Sequence, residues 1–416
     1  MRYPLLDGFR GFFLLFMTIV HANIVLMTVA GTINHHSFGW VEDAQGFVFI
    51  SGFVVALVYG RALDKGGFDR CVRTTYRRVR TIYVYQALLI FLLLGMSILI
   101  PAARVTGAFQ PYVEEPFWFT VASLALVGTS EHMGILPMYI FFMLLLPFVL
   151  VSLSRGNWPA VLAASLLVWL IGQTRLPYYS IEWVEAHLAA RGVPLPLGVF
   201  FNIFCWQILF FGGTILGYQL NRDRLPLHLF HTEAVRELAK VCFAAIILLG
   251  LFDRAIGWNL MPDRWQGWYM DVNRRQHFGP LQLIAFAVAL QFVSWSLIAG
   301  RTDRNPLFRG IGNVIHAIVS HPAMIFLGQH SLQVFAWHVL LYYVLALLFF
   351  RGPPDELTGT LVLLASAASL YIPAWIHARW QKFTKAAVPW VVRAKPPQPS
   401  EPAAAPRGSQ RGDLSR

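Results

Sequence analysis

Apolar residues run through this chain in long unbroken blocks, with charged and turn-forming residues collected between them. The blocks are about 17–22 residues long, the length a helix needs to cross the hydrocarbon core of a bilayer. They predict ten spans, over 11–30, 44–60, 81–100, 133–153, 158–173, 200–220, 239–257, 279–299, 330–350 and 358–376. The fold class is therefore all-α, a polytopic membrane protein with about ten transmembrane helices. The integral membrane domain runs over 1–392. Residues 393–416, which include AKPPQPSEPAAAPRGSQRGDLSR, are too poor in apolar side chains to fold and read as a disordered cytoplasmic tail. The segments between spans are short. One of them carries PFWFTVASLALVG (116–128), a stretch too short to span, which is expected to lie at the interface or re-enter the membrane.

Composition agrees with this plan. Of 416 residues 56% are hydrophobic and only 13% charged, against about 25% charged in ordinary globular domains. The formal net charge of +12 first suggests a nucleic-acid partner, but its distribution excludes one. With the N-terminus in the cytoplasm, most Lys and Arg fall on the cytoplasmic side, and RALDKGGFDRCVRTTYRRVR at 61–80 alone carries seven. That bias sets orientation. Cys71, Cys205 and Cys242 are too scattered for a disulfide framework or a zinc site and are expected to be structural. The motifs of soluble catalysis are missing: no G-x-S-x-G, no P-loop and no H-E-x-x-H.

The informative residues are polar groups at membrane depth. In MRYPLLDGFRGFFLLFMTIVHANIVL, Arg10 and His21 are eleven residues apart. On a helix that is about 1100° of rotation and about 16 Å of rise, so both lie on one face, offset by about 20°. Asp7, three residues before Arg10, is placed to orient it. A snorkelling cation is the bland reading of Arg10, and a histidine bonded to a neighbouring helix is the bland reading of His21. Ser51 and His338 are central in their spans, while Gln207 and Gln291 fall at similar depth. Each alone suits interhelical glue; together they predict a polar cavity. The outer loops are aromatic. Trp265 and Trp268 suit either an interfacial belt or a platform for sugar rings. His35 and His36 precede Glu42 and Asp43, but the spacing matches no metal motif, and no metal is expected.

Five blocks, LLDGFRGFFLLFMTIVH, DAQGFVFISGFVVALVYGR, ILPMYIFFMLLLPFVL, FNIFCWQILFFGG and LGQHSLQVFAWHVLL, resemble in content and order the OpgC family, membrane proteins linked to succinylation of periplasmic glucans and similar to the broader acyltransferase-3 group. The resemblance covers roughly residues 5–350. It implies a ten-helix acyltransferase of the bacterial inner membrane, with both termini cytoplasmic. It would carry an acyl group, succinyl or acetyl, from cytoplasmic acyl-CoA to a hydroxyl of an envelope glycan. Acyl-CoA is then a co-substrate, no cofactor is bound, and membrane lipid is the remaining partner. In the acyltransferase-3 group the arginine and histidine of R-x10-H are the functional pair, here Arg10 and His21. The donor side would comprise Arg10 with Arg61, Arg77 and Arg78. The catalytic groups would be His21, His338 and Ser51, and the acceptor side Trp265, Trp268, Glu42, Asp43 and Gln207. OpgC-like chains often carry an acidic residue where this one has Gln45. Acyl transfer to an alcohol needs a base for the hydroxyl proton, and imidazole, with an ordinary pKa near 6.5, suits the task.

Two other classes accommodate parts of the pattern. A transporter or flippase for a lipid-linked sugar or anionic solute explains a polar cavity and a basic mouth but gives His21 no task. A membrane scaffold predicts that His21 is dispensable. The charge bias makes its own prediction: reporter fusions after Asp64 and within 300–309 read cytoplasmic, and a fusion within 262–275 reads periplasmic. A reversed reading at 61–80 would overturn the orientation.

Overall fold

The structure, a computed structural model, describes residues 3–37, 40–174, 176–198, 200–273 and 275–386. The tail expected over 393–416 lies outside them. One compact unit, Met1–His377, holds everything discussed below; a second comprises Ala378–Arg416. Every extended element among the described residues is helical, and strand pairing is confined to one isolated bridge between Gly128 and Gly198. The chain is an all-α polytopic membrane protein. Among the described residues, seven helices are long and apolar enough to cross a membrane, and up to nine if two bent helix pairs each count as one span.

The difference from ten has local causes. The predicted spans 44–60 and 81–100 are the two arms of a long helix, Asp43–Leu99, broken where Gly66 and Gly67 (φ 67°) leave helical geometry. Tyr59 and Cys71 would stand about 18 Å apart in a straight helix, yet Cys71 Sγ lies 3.8 Å from the Tyr59 carbonyl oxygen. The chain folds back there, and the basic segment 61–80 between the two spans is helical apart from Gly66 and Gly67. Gly67 supplies the left-handed residue that the reversal requires. The predicted span 239–257 forms the helix Glu233–Gly257, but Lys240, Asp253 and Arg254 leave it without a sufficiently apolar window. The segment 300–329, expected to link spans, instead forms Pro306–Ser320 and Pro322–Gln329, bent by 51°. The short stretch 116–128 forms the nine-residue helix Pro116–Leu124.

The first helix, Pro4–Leu26, starts on a proline whose fixed φ suits the first turn and carries Asp7 where an acid favours the N-terminal dipole. It ends at Met27, in left-handed conformation, whose N–H returns to the Asn23 carbonyl. Glycines set its packing. A Cβ on Gly11 would lie 1.9 Å from the Met324 carbonyl oxygen, and one on Gly328 would lie 1.7 Å from that of Asp7. The same device joins the long helix to Ile203–Leu220, where a Cβ on Gly213 would come within 2.2 Å of the Phe49 carbonyl oxygen. In lipid, where apolar surface is satisfied with or without a partner helix, such close approach is a principal source of helix association.

Gly213→Val should therefore lower stability by at least about 1–3 kcal/mol, since the added carbon meets backbone that cannot move aside. Gly212, one residue earlier, has open space around its Cα, and Gly212→Ala should be neutral or slightly stabilising. Thermal unfolding of both variants in detergent checks the contrast; equal effects would refute the packing argument.

Candidate active site

Three cavities follow the first helix from its start to its end. The first, about 200 Å³, is lined by Tyr3, Asp7, Arg61 and Gln329. The second, only about 30 Å³, is lined by Arg10, Ser51, Arg78, Tyr139, Ser331 and Phe335. The third, about 300 Å³, is lined by His21, His36, Glu42, Asp43 and His132, again with Phe335. Ile135 and Phe335 line both the second and the third, so these two side chains form the partition between them. A water needs roughly 10–15 Å³ of such space. The middle cavity therefore holds about two waters and is a throat rather than a chamber.

In the throat Arg10 donates from Nη2 to Ser331 Oγ at 2.5 Å, and its guanidinium lies 5.8 Å from the centre of the Phe47 ring. Its Nε is buried without a hydrogen-bond partner. The snorkelling reading of Arg10 is therefore excluded: the charge is held inside the protein. Arg10 touches Ser331 and His21 touches His338, so residue numbers rise together along the two helices. The helix Ser331–Leu348 thus runs parallel to the first. Ser331 and His338 are seven residues apart, about 10.5 Å of rise, less than the 16 Å separating Arg10 from His21. The long Arg10 side chain makes up the difference by reaching toward the histidines.

The histidine pair has an assigned proton pattern. His338 Nδ1 lies 2.7 Å from the Phe335 carbonyl oxygen. A carbonyl only accepts, so Nδ1 carries the proton and the neutral ring presents a lone pair at Nε2. His21 Nδ1 is 3.2 Å from that Nε2, so His21 Nδ1–H donates and the remaining lone pair of His21 is on Nε2. His338 is 1% exposed and its ring is held edge-on against Phe335, with centroids 4.8 Å apart. A third imidazole completes the group. His132 stands edge-to-face with His21 at 4.4 Å and stacks on Tyr342 at 3.7 Å. Burial, reinforced by nearby His338, pushes His132 down to about 3, so it is uncharged at neutral pH.

The structure sorts the residues read from the sequence. Glu42 and Asp43 join His21 on one cavity. Arg10, Arg78 and Ser51 meet in the throat; Ser51 is thus grouped with the arginines and not with His21. Arg61 lies at the mouth, where its Nη2 donates to the Tyr3 hydroxyl at 2.9 Å. Arg77 is exposed and lines none of the three cavities. Gln207 accepts from Ser165 Oγ and donates to the Ser165 carbonyl, both at 2.7 Å. These contacts join two helices, and Gln207 lines none of the three cavities. Trp265 and Trp268 are about half exposed on the helix Asp263–Val272, edge-to-face at 5.8 Å, and line none of these cavities either. Gln45 is fully buried and donates to Gln282 Oε1 at 2.6 Å; Gln282 in turn donates to Asn273. Sequence reasoning missed His132, Gln282 and Tyr342. The available signal for His132 was its position directly beside the apolar block that begins at 133.

A family model described as OpgC protein matches residues 2–382. No curated protein and no solved structure matches the chain.

Proposed function

The chain belongs to the OpgC family, whose membership implies a transferase acting on glucan, and we propose that it is a membrane-embedded O-acyltransferase moving an acyl group from acyl-CoA to a sugar hydroxyl. The observation that carries this reading is the hydrogen-bond chain from Phe335 through His338 to His21, which leaves a lone pair on His21 Nε2 in a ring lining a cavity of about 300 Å³. The mouth and throat supply the donor side. Arg61 and Arg78 suit the phosphates of coenzyme A, and Arg10 lies where the arm carrying the thioester would pass. The acceptor would enter the histidine chamber from the opposite end, beside Glu42.

His21 Nε2 would take the acceptor hydroxyl proton as the oxygen forms its bond to the thioester carbonyl carbon. The carbon–sulfur bond then breaks, and the proton passes from His21 to the departing thiolate. His338 acts as a positioning residue: its bond to His21 Nδ1 holds the tautomer and the ring plane. Ser51 and Ser331 line the throat and are placed to hold the arm and Arg10. A transport path would also use cavities on both sides of a constriction, but it would need no oriented imidazole pair. On this reading the membrane is the bacterial inner membrane, with donor and mouth cytoplasmic, and the acyl group is succinyl or acetyl.

His21→Gln keeps hydrogen-bonding capacity but cannot take up a proton, and should lower the transfer rate by about 10²–10⁴-fold with coenzyme A binding retained. His338→Gln should retain more activity than His21→Gln, because the base itself remains. Both are read by transfer assays on folded protein in nanodiscs. Near-normal transfer by His21→Gln would sink the assignment.

Arg10→Ala should chiefly raise the apparent KM for acyl-CoA, since it removes binding common to ground and transition states. Arg10→Lys should recover only part, because an ammonium lacks the planar fork. Unchanged donor affinity in Arg10→Ala would refute the donor-side placement.

A further inference from the structure

Beside the histidine chamber, the 3₁₀ turn His35–Ser37 and the first residue of the long helix bring three ligand-type side chains together. The nearest ligand atoms of His35, His36 and Asp43 all lie within 4.8 Å of one another. His36 Nε2 is 2.8 Å from Asp43 Oδ2 and receives the Asp43 backbone N–H at 3.3 Å. His35 Nε2 is 3.4 Å from Asp43 Oδ1.

That second spacing is the telling one. Asp43 is 2% exposed, and its Oδ1 is buried with no hydrogen-bond partner; both nitrogens of His35 are in the same condition. The His35 ring packs against Phe12, Phe13 and Phe16, with centroids at 5.2, 6.2 and 5.3 Å, which offer its nitrogens no hydrogen-bonding group. Leaving such groups unsatisfied is destabilising, because each has lost its water without gaining a partner. Two ligands bound at about 2.0–2.1 Å to one tetrahedral ion stand roughly 3.3–3.4 Å apart. Two facing, buried ligand atoms at that separation, neither of them in a hydrogen bond, suit bridging by a single cation.

We infer that His35, His36 and Asp43 form a binding site for a divalent transition-metal ion, of the class that includes zinc. Two imidazoles and one carboxylate are a ligand set that zinc and its neighbours accept, and they leave a coordination position open. Glu42, the adjacent residue, lines the same chamber. His36 also lines a surface pocket with Asn34, Asp253 and Arg254, so the site has a route from outside as well as a face on the chamber that holds His21. An ion here would tie the turn after the first helix to the start of the long helix. It would also offer a water or sugar hydroxyl a Lewis-acidic contact in the chamber. The site stands on its own residues and does not depend on the acyl-transfer reading.

The test uses full-length, tag-free protein in detergent, incubated with zinc and desalted, with metal measured by mass spectrometry. The expected result is one zinc per chain and a higher unfolding temperature with zinc than after chelation. His35→Phe preserves the ring packing against the three phenylalanines but removes the nitrogens, and Asp43→Asn removes the charge. Loss of an outer-shell partner alone weakens metal affinity about 10–100-fold, so each ligand variant should weaken zinc retention at least tenfold. As a check independent of the variants, cobalt bound to the unmutated protein should give the visible absorption of low-coordinate cobalt and be displaced by zinc. No retained zinc, equal retention by His35→Phe, or the absence of that absorption would each overturn the site.

Discussion

A polar side chain carried into hydrocarbon must find its partner within the protein, because lipid offers none. Much of this structure follows from that requirement. Arg10 finds Ser331, His21 finds His338, Gln45 finds Gln282, and Gln207 finds Ser165. Each pair joins helices distant in sequence, so each is a registration mark as well as a stabilising contact. Glycines perform the complementary task. Where Gly11 meets Met324 and Gly328 meets Asp7, helices approach until backbone touches side-chain-free backbone. That closeness at the start of the first helix brings Arg10 within reach of Ser331 and keeps the two parallel helices aligned as far as the histidines.

The parts of the molecule legible in the sequence were those governed by a single helix. Block length gave the all-α membrane class, and the eleven-residue interval gave the shared face of Arg10 and His21. What escaped depended on a second element. Gln207 looks equally suited to a cavity or a helix interface until Ser165 appears opposite it. Ser51 is central in its block, as His21 is, yet the fold-back of its helix places it beside the arginines. The basic run 61–80 reads only as the connection between two spans, although it is helical apart from Gly66 and Gly67. His35, His36 and Asp43 show no metal spacing because a turn and a helix start, not a periodic segment, assemble them.

The site joins two kinds of polar group with different demands. The histidines are satisfied by one another and by a backbone carbonyl, which fixes which nitrogen is free without using any charge. Arg10 and Arg61, in the throat and at the mouth, are met by hydroxyl, amide and aromatic partners. The two regions can differ so sharply at close quarters because Ile135 and Phe335 separate them.

That partition also shapes the electric field. Across a membrane the potential falls steeply where water is excluded and little where it penetrates. With water filling the larger cavities and room for about two waters in the throat between them, much of such a drop would fall around Phe335. Moving one elementary charge through the full drop involves about 2.3 kcal/mol per 100 mV. An acyl group bearing its own carboxylate would therefore cross with electrical work attached, while a neutral one would cross without it. On the acyl-transfer reading proposed above, the resting voltage of the cell would then act as a selectivity element, weighting one donor against the other through no contact with either.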